Sequence, residues 1–164
     1  YNEKAEGELS ENGYLYAAPG RGLSFRNESE DDVEFLIYKK KYLPINGEKP
    51  WSVMSSVKEQ FRRWNQEGLT CLELLPSDLV FDIAFNILIF YPDRKHGFIE
   101  IHDQEHGAYL LSGEGSYYLD ETWYPVREKD FIWMAPYVSQ GAYSCGNEKF
   151  SYSYSKDINR DVEL

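Results

Sequence analysis

The chain of 164 residues is long enough for one folded domain with its own core and for part of a second. Its 17 Lys and Arg against 28 Asp and Glu give a formal net charge of −11, which argues against nucleic acids and anionic membrane surfaces as partners. The longest apolar run, residues 87–91, is far shorter than the ~20 residues that cross a bilayer. The two cysteines form no metal or redox pair, so we expect a reduced, cytoplasmic protein. Because the first residue is Tyr1 and not Met, we also expect the chain to be part of a longer protein.

Strand-forming residues dominate the chain, with 14 Tyr, 9 Phe and 4 Trp, and turn residues recur along it, which predicts an all-β fold. In chain order, the predicted strands are 32–43, 70–75, 81–91, 97–102, 108–111, 116–119, 122–126, 130–134, 141–144 and 150–156. Residues 55–64 are the best helix candidate because Val57, Phe61 and Trp64 recur at helical spacing, and an ordered linker is the alternative. Short strands closed by tight turns favour a sandwich or small barrel, whose interior can hold a ligand.

Turn and linker signals divide the chain. Asp120 and Glu121 lie between two aromatic-rich strands and predict a hairpin turn. The stretch between residues 39 and 68 mixes charges with Pro and Gly and lacks alternation, which is typical of a linker. We therefore expect residues 1–65 to hold the closing strands of one β unit plus a linker, and residues 66–164 to form a complete second domain.

Two of the three histidines lie close together, in residues 97–107. In an extended segment Glu100 and His102 share one face, so two metal-competent side chains are paired. On a straight strand His106 would lie roughly 13 Å further along, too far to share an ion. We therefore expect the chain to turn after His102, so that His106 opens the next strand and faces back. Exposed polar residues on a strand and turn are the alternative that this pattern leaves open.

A helical interpretation of the same residues is rejected. His102 to His106 match H-x-x-E-H, the inverted zinc-protease motif, which needs a helix to place both imidazoles on one face. Gly97 and Gly107 bracket the segment, and the alternation before His102 indicates a strand. His96 follows a turn and is interpreted as a surface residue, not as a further ligand.

The last predicted strand also carries candidate site residues. Tyr152, Tyr154 and Lys156 alternate along it, so their side chains share one face. If that face is the interior, Lys156 is a buried cation that needs an anionic partner, and a substrate carboxylate would serve. If it is the outer face, Lys156 is simply solvated.

The spacing around the histidines resembles the first cupin motif, in which two strands supply three metal ligands. Glu100 stands where that motif has its first His, and His106 where it has Glu, so the ligand types are exchanged. The second cupin motif normally ends in His, whereas the matching residues 130–140 end in Gln140. Without this resemblance Gln140 is interpreted as a polar strand-end residue. The resemblance implies a double-stranded β-helix barrel, the cupin fold.

The substituted ligand set resembles a narrower family, the (S)-ureidoglycine aminohydrolases, which are manganese-dependent bicupins of purine and allantoin breakdown. The resemblance extends over residues 14–20, 36–42, 102–107, 123–126, 132–136 and 154–160. It implies that residues 66–164 are the catalytic C-terminal cupin, and that residues 1–65 contain the last strands of the N-terminal cupin. A homo-oligomer is also implied.

The family resemblance implies a role for each candidate residue. The implied ligands of an Mn(II) ion are Glu100, His102, His106 and Gln140. The implied substrate contacts are Glu100, Gln140, Tyr152 and Lys156, of which Glu100 and Lys156 are catalytic. Two imidazoles, one carboxylate and one amide oxygen suit Mn(II) or Fe(II).

The implied reaction is the hydrolysis of (S)-ureidoglycine to (S)-ureidoglycolate and ammonia. Two alternatives remain open because the cupin fold hosts many functions. One is another cupin metalloenzyme, an isomerase or dioxygenase that acts on a small carboxylate. The other is a non-catalytic cupin that binds a small molecule.

Overall fold

The computed structural model describes residues 6–45 and 47–158. This part of the chain contains eleven strands and two single-turn 3-10 helices, Val57–Glu59 and Leu79–Phe81. The strands are β1 (Gly13–Tyr16), β2 (Val53–Ser56), β3 (Arg62–Gln66), β4 (Leu69–Glu73), β5 (Ala84–Phe90), β6 (His106–Ser112), β7 (Glu114–Leu119), β8 (Thr122–Arg127), β9 (Phe131–Met134), β10 (Gln140–Cys145) and β11 (Phe150–Lys156). Neither short helix is long enough to span a membrane.

Two antiparallel sheets enclose the main core. Six strands pair in the order β3-β4-β5-β11-β6-β9, and three pair in the order β10-β7-β8, while β1 and β2 form a separate pair. Both larger sheets contribute side chains to one apolar cluster, which includes Phe90, Leu110, Tyr117, Met134, Phe150 and Tyr152. Burial of this cluster between two sheets stabilises the fold, because apolar surface leaves water on both inner faces. The prediction of an all-β fold is confirmed.

The hairpin between β7 and β8 is also confirmed. Leu119 pairs with Thr122, so Asp120 and Glu121 form a two-residue turn. Their φ values of 45° and 65° are both positive, which is the turn geometry that matches the twist of the flanking strands.

Three predicted elements are wrong. Residues 32–43 form no strand and run as an irregular, mostly exposed segment, because no neighbouring strand offers them a ladder of backbone partners. Residues 55–64 are not a helix, since they cover the end of β2, one 3-10 turn and the start of β3. Residues 97–102 form no strand, and only Glu100 makes a bridge there, to Gln140.

The irregular segment before residue 44 is nevertheless attached to the sheet. Lys40 makes ion pairs with Asp82 at 3.3 Å and with Asp157 at 2.6 Å. The Tyr38 hydroxyl donates to the backbone oxygen of Ser153. The proposed boundary between residues 65 and 66 falls within β3, and the division into two units stays a prediction.

Candidate metal and ligand site

A cavity of about 190 Å³ is bounded by side chains from both larger sheets. A cavity of this size suits a small ligand. The polar residues that line it include Lys95, His96, Glu100, His106, Tyr117, Gln140, Tyr152, Tyr154 and Lys156. Five of the six predicted site residues therefore line one cavity. The sixth, His102, contacts two of them, His106 and Gln140.

The two histidines of the motif face each other. His106 is the first residue of β6, and His102 lies in the loop before it. Their ring centroids are 4.5 Å apart. The turn predicted between them is confirmed, and the helical zinc-protease interpretation is excluded, because the segment contains no helix.

Gln140 lies between the histidines and the tyrosines. It is the first residue of β10 and is only 2% exposed. Its backbone exchanges two hydrogen bonds with Glu100, both of 2.9 Å, which fixes the spacing of these two residues. The Gln140 Nε2 atom is 2.8 Å from His102 Nε2, and its Oε1 accepts a hydrogen bond from the Tyr117 hydroxyl at 3.3 Å.

The environment keeps His106 neutral. Burial lowers its pKa to about 3, and the nearby His102, Lys156 and His96 add to the effect. A neutral imidazole has the free electron pair that a metal ligand needs. The Nε2 of His106 and the Nδ1 of His102 are buried and have no hydrogen-bond partner among the described residues.

Such donors fit a divalent ion, but their arrangement is not a completed coordination sphere. Across residues 6–45 and 47–158, no group of three or more His, Cys, Asp or Glu side chains is placed to hold an ion. Gln140 presents its amide nitrogen to His102, and its oxygen faces Tyr117. To bind an ion, the Gln140 amide would have to rotate so that its oxygen faces the histidines.

The alternating residues of β11 point into the cavity. Tyr152, Tyr154 and Lys156 all line it, so the interior placement considered from the sequence is the one observed. Burial raises the pKa of both tyrosines, which remain neutral hydroxyl groups at physiological pH. Asn86 Nδ2 donates to the Tyr154 hydroxyl at 2.8 Å, which holds that ring in place.

The interpretation of His96 as a surface residue is wrong. It lines the cavity, and its Nε2 is 3.5 Å from the Tyr152 hydroxyl. Its ring packs against Phe90 with the centroids 5.1 Å apart. Trp64, which was assigned to a helix, also lines the cavity from β3. No local pattern marks either residue, because both reach the cavity through contacts with distant strands.

No protein-family model matches the chain. An RmlC-like cupin from Shewanella frigidimarina is 16% identical and superposes with a TM-score of 0.55, over 65% of this chain and 91% of that one. At this identity the similarity shows the fold alone. The chain therefore has the cupin fold, as the motif spacing implied.

Sequence similarity identifies closer relatives. The chain is 47% identical to the (S)-ureidoglycine aminohydrolase of Escherichia coli (strain K12), over 98% of this chain and 64% of the relative. It is 35% identical to the probable (S)-ureidoglycine aminohydrolase of Oryza sativa subsp. japonica, over 81% of this chain and 43% of that protein. The crystal structure of protein Ylba from E. coli is 39% identical with a TM-score of 0.73, over 98% of this chain and 64% of that one. The predicted resemblance to the (S)-ureidoglycine aminohydrolases is confirmed, and the chain spans less than two thirds of the length of these relatives.

Proposed function

We propose that this chain carries the catalytic cupin of an enzyme that hydrolyses (S)-ureidoglycine to (S)-ureidoglycolate and ammonia, with an Mn(II) ion as cofactor. The observation that carries the proposal is the approach of the His102 and His106 rings to 4.5 Å beside the cavity. The substrate follows from the similarity to the E. coli (S)-ureidoglycine aminohydrolase.

The cavity suits this substrate in size and charge. Ureidoglycine has a carboxylate, an amine and a ureido group on one carbon atom, and a cavity of about 190 Å³ is small enough to select such a molecule. Lys156 and the Tyr152 hydroxyl line the cavity and bind the carboxylate. An ion pair of this kind is strong where water is excluded.

The proposed ligands of the ion are Glu100, His102, His106 and Gln140. A bound Mn(II) ion would act as a Lewis acid and polarise the groups attached to the reacting carbon. His106 remains neutral and available because burial holds its pKa at about 3. Gln140 and Glu100 are kept side by side by their paired backbone hydrogen bonds, and both line the cavity.

The reaction exchanges one bond at the central carbon. Water supplies the oxygen of the new C–O bond, and the amine leaves with a proton as ammonia. Glu100 lines the cavity and is half-buried, and we assign it to the hydrogen bond with the substrate amine. Tyr152 stays protonated because burial raises its pKa, so it acts as a hydrogen-bond donor to the substrate. Burial also raises the pKa of Tyr117, whose hydroxyl donates to Gln140 Oε1.

The test combines metal location with turnover. Anomalous scattering at the manganese edge is expected to place an ion among Glu100, His102, His106 and Gln140, and the Mn(II)-loaded chain is expected to release ammonia from freshly prepared (S)-ureidoglycine. A chain that binds the ion there without ammonia release would instead support another cupin metalloenzyme. A metal-free chain whose His102→Ala variant behaves identically would support a non-catalytic binding protein.

A further inference from the structure

His96 belongs to the cavity but to none of the roles assigned so far. Its backbone N–H donates to Ala142 at 3.0 Å, and two residues earlier the Arg94 carbonyl accepts from Ser144 at 2.8 Å. These bonds flank a bridge between Lys95 and Tyr143, so the segment runs alongside β10. His96 is therefore held by backbone pairing as well as by its packing on Phe90.

The polar contact of the His96 ring is with a predicted substrate residue. Its Nε2 is 3.5 Å from the Tyr152 hydroxyl, and Tyr152 is only 2% exposed. This separation is long for a hydrogen bond, and such contacts in ligand-free sites commonly shorten when the ligand binds. A buried hydroxyl that loses its partner is costly, so the contact matters for the orientation of Tyr152.

The hydroxyl of Tyr117, which also lines the cavity, faces acceptors other than Tyr152. It lies 3.3 Å from Gln140 Oε1 and 3.1 Å from Met134 Sδ, and both of these atoms can accept its proton. The Tyr117 proton is therefore not directed at the Tyr152 oxygen, which can accept from His96.

The other imidazole nitrogen indicates which ring nitrogen carries the proton. His96 Nδ1 is buried and has no hydrogen-bond partner among the described residues. A buried N–H without an acceptor is rarer and more costly than a buried acceptor without a donor. The ring's single proton is therefore best placed on Nε2, which faces Tyr152. Burial also lowers the pKa of His96, which favours the neutral ring.

We propose that His96 is a positioning residue: its Nε2–H donates to the Tyr152 oxygen, so that the Tyr152 proton is directed away from His96 and toward a ligand carboxylate in the cavity. The identity of that ligand rests on the proposed function.

The test uses two variants of similar volume. His96→Phe keeps a flat ring against Phe90 and removes the donor, whereas His96→Gln retains an N–H donor. The probe is N-carbamoylglycine, which resembles ureidoglycine without the amine and so cannot release ammonia. We expect His96→Phe to weaken binding of N-carbamoylglycine about tenfold and to raise the KM for (S)-ureidoglycine by a similar factor. His96→Gln should retain most of the affinity for the probe. We expect kcat to change by less than about twofold in both variants, since a positioning contact for the carboxylate acts on binding.

Nitrogen-15 NMR of the imidazoles in the unsubstituted chain is the measurement that needs no turnover. The proton of His96 is expected on Nε2, with Nδ1 unprotonated. A proton on Nδ1, unchanged probe binding in His96→Phe, or equal losses in both variants would overturn the inference. A chain that binds the probe but releases no ammonia overturns only the proposed function, and a chain that binds no probe overturns both.

Discussion

Gln140 Nε2 and His102 Nε2 lie 2.8 Å apart, although 38 residues separate them in the chain. The loop that contains His102 and the start of β10 are thereby joined at the candidate metal site. The Gln140 amide is oriented from both ends, because its nitrogen contacts His102 and its oxygen accepts a hydrogen bond from the Tyr117 hydroxyl. Changes at Gln140 should therefore affect the histidines and not only the amide itself.

We expect Gln140→Leu to lower Mn(II) affinity by about 10–100-fold, because the change removes one proposed ligand and the amide that contacts His102. The matched control is Gln140→Glu, which keeps an oxygen donor in the same place and should retain most of the affinity. Equilibrium dialysis with manganese measures both. Equal affinities in the Leu variant and the unsubstituted chain would remove Gln140 from the ligand set.

Lys156 is expected to bind the substrate carboxylate. Lys156→Met should raise KM by about 10–100-fold, since the anion then loses its charged partner in the cavity. Lys149→Met is the control, because Lys149 lies over the Tyr91 ring and does not line the cavity. If both variants have the KM of the unsubstituted chain in the ammonia assay, the carboxylate binds elsewhere.

Gly113, the glycine that follows β6, cannot accept a side chain. Its φ is +73°, and an added Cβ would lie 2.4 Å from the Lys149 carbonyl oxygen. Gly113→Ala should therefore lower the free energy of unfolding by about 1–3 kcal/mol. In Gly22→Ala the new methyl group meets open space, so urea denaturation should show a far smaller change for that variant. Similar losses in the two variants would contradict this account.

The two free cysteines should differ in reactivity. Burial, with a smaller contribution from Glu73, raises the pKa of the Cys71 thiol to about 12, whereas Cys145 is half-buried. Since the thiolate is the reactive form, a disulfide reagent near pH 8 should modify Cys145 first and Cys71 only after unfolding. Peptide mapping identifies the modified cysteine. Rapid modification of Cys71 in the folded chain would contradict this prediction.

Alkaline pH should destabilise the fold. The pKa of Cys71 rises from 9.0 to about 12 in the folded chain, and burial likewise raises the pKa of Tyr16 from 10.0 to about 12. Between the unfolded pKa of 9.0 and the folded pKa of about 12, the folded state binds more protons than the unfolded state. The free energy of unfolding is therefore unaffected by these groups below pH 9 and falls as the pH rises toward 12. Urea midpoints measured from about pH 8 upward test the sign. A midpoint that rises above pH 9 would contradict it.

Much of the fold follows from local pattern. The last strand was predicted at its observed bounds, Phe150–Lys156, because alternation and flanking turn residues mark it. The histidine turn was predicted as well, since a straight strand would hold His102 and His106 too far apart, and the flanking glycines and the alternation argue against a helix. In both cases the information lies within a short stretch of sequence.

The wrong predictions concern residues whose structure depends on partners far away in the sequence. Residues 33–37 have the composition of a strand, but a strand also needs a neighbour, and sequence pattern does not report one. Val57, Phe61 and Trp64 have helical spacing, yet pairing of β3 with β4 overrides that preference. His96 was assigned to the surface because it follows a turn, whereas in the structure its ring contacts Phe90 and Tyr152.

Glu100 and Gln140 are tied together by their main chains, through two hydrogen bonds that do not involve either side chain. The distance between their Cα atoms therefore does not depend on which side chains they carry. The donor atoms at these two positions can be changed while the backbone stays the same. A protein engineer can install histidine at both positions and obtain an all-imidazole set, which suits later first-row metals such as nickel and copper. The same backbone would then favour an ion other than the proposed Mn(II).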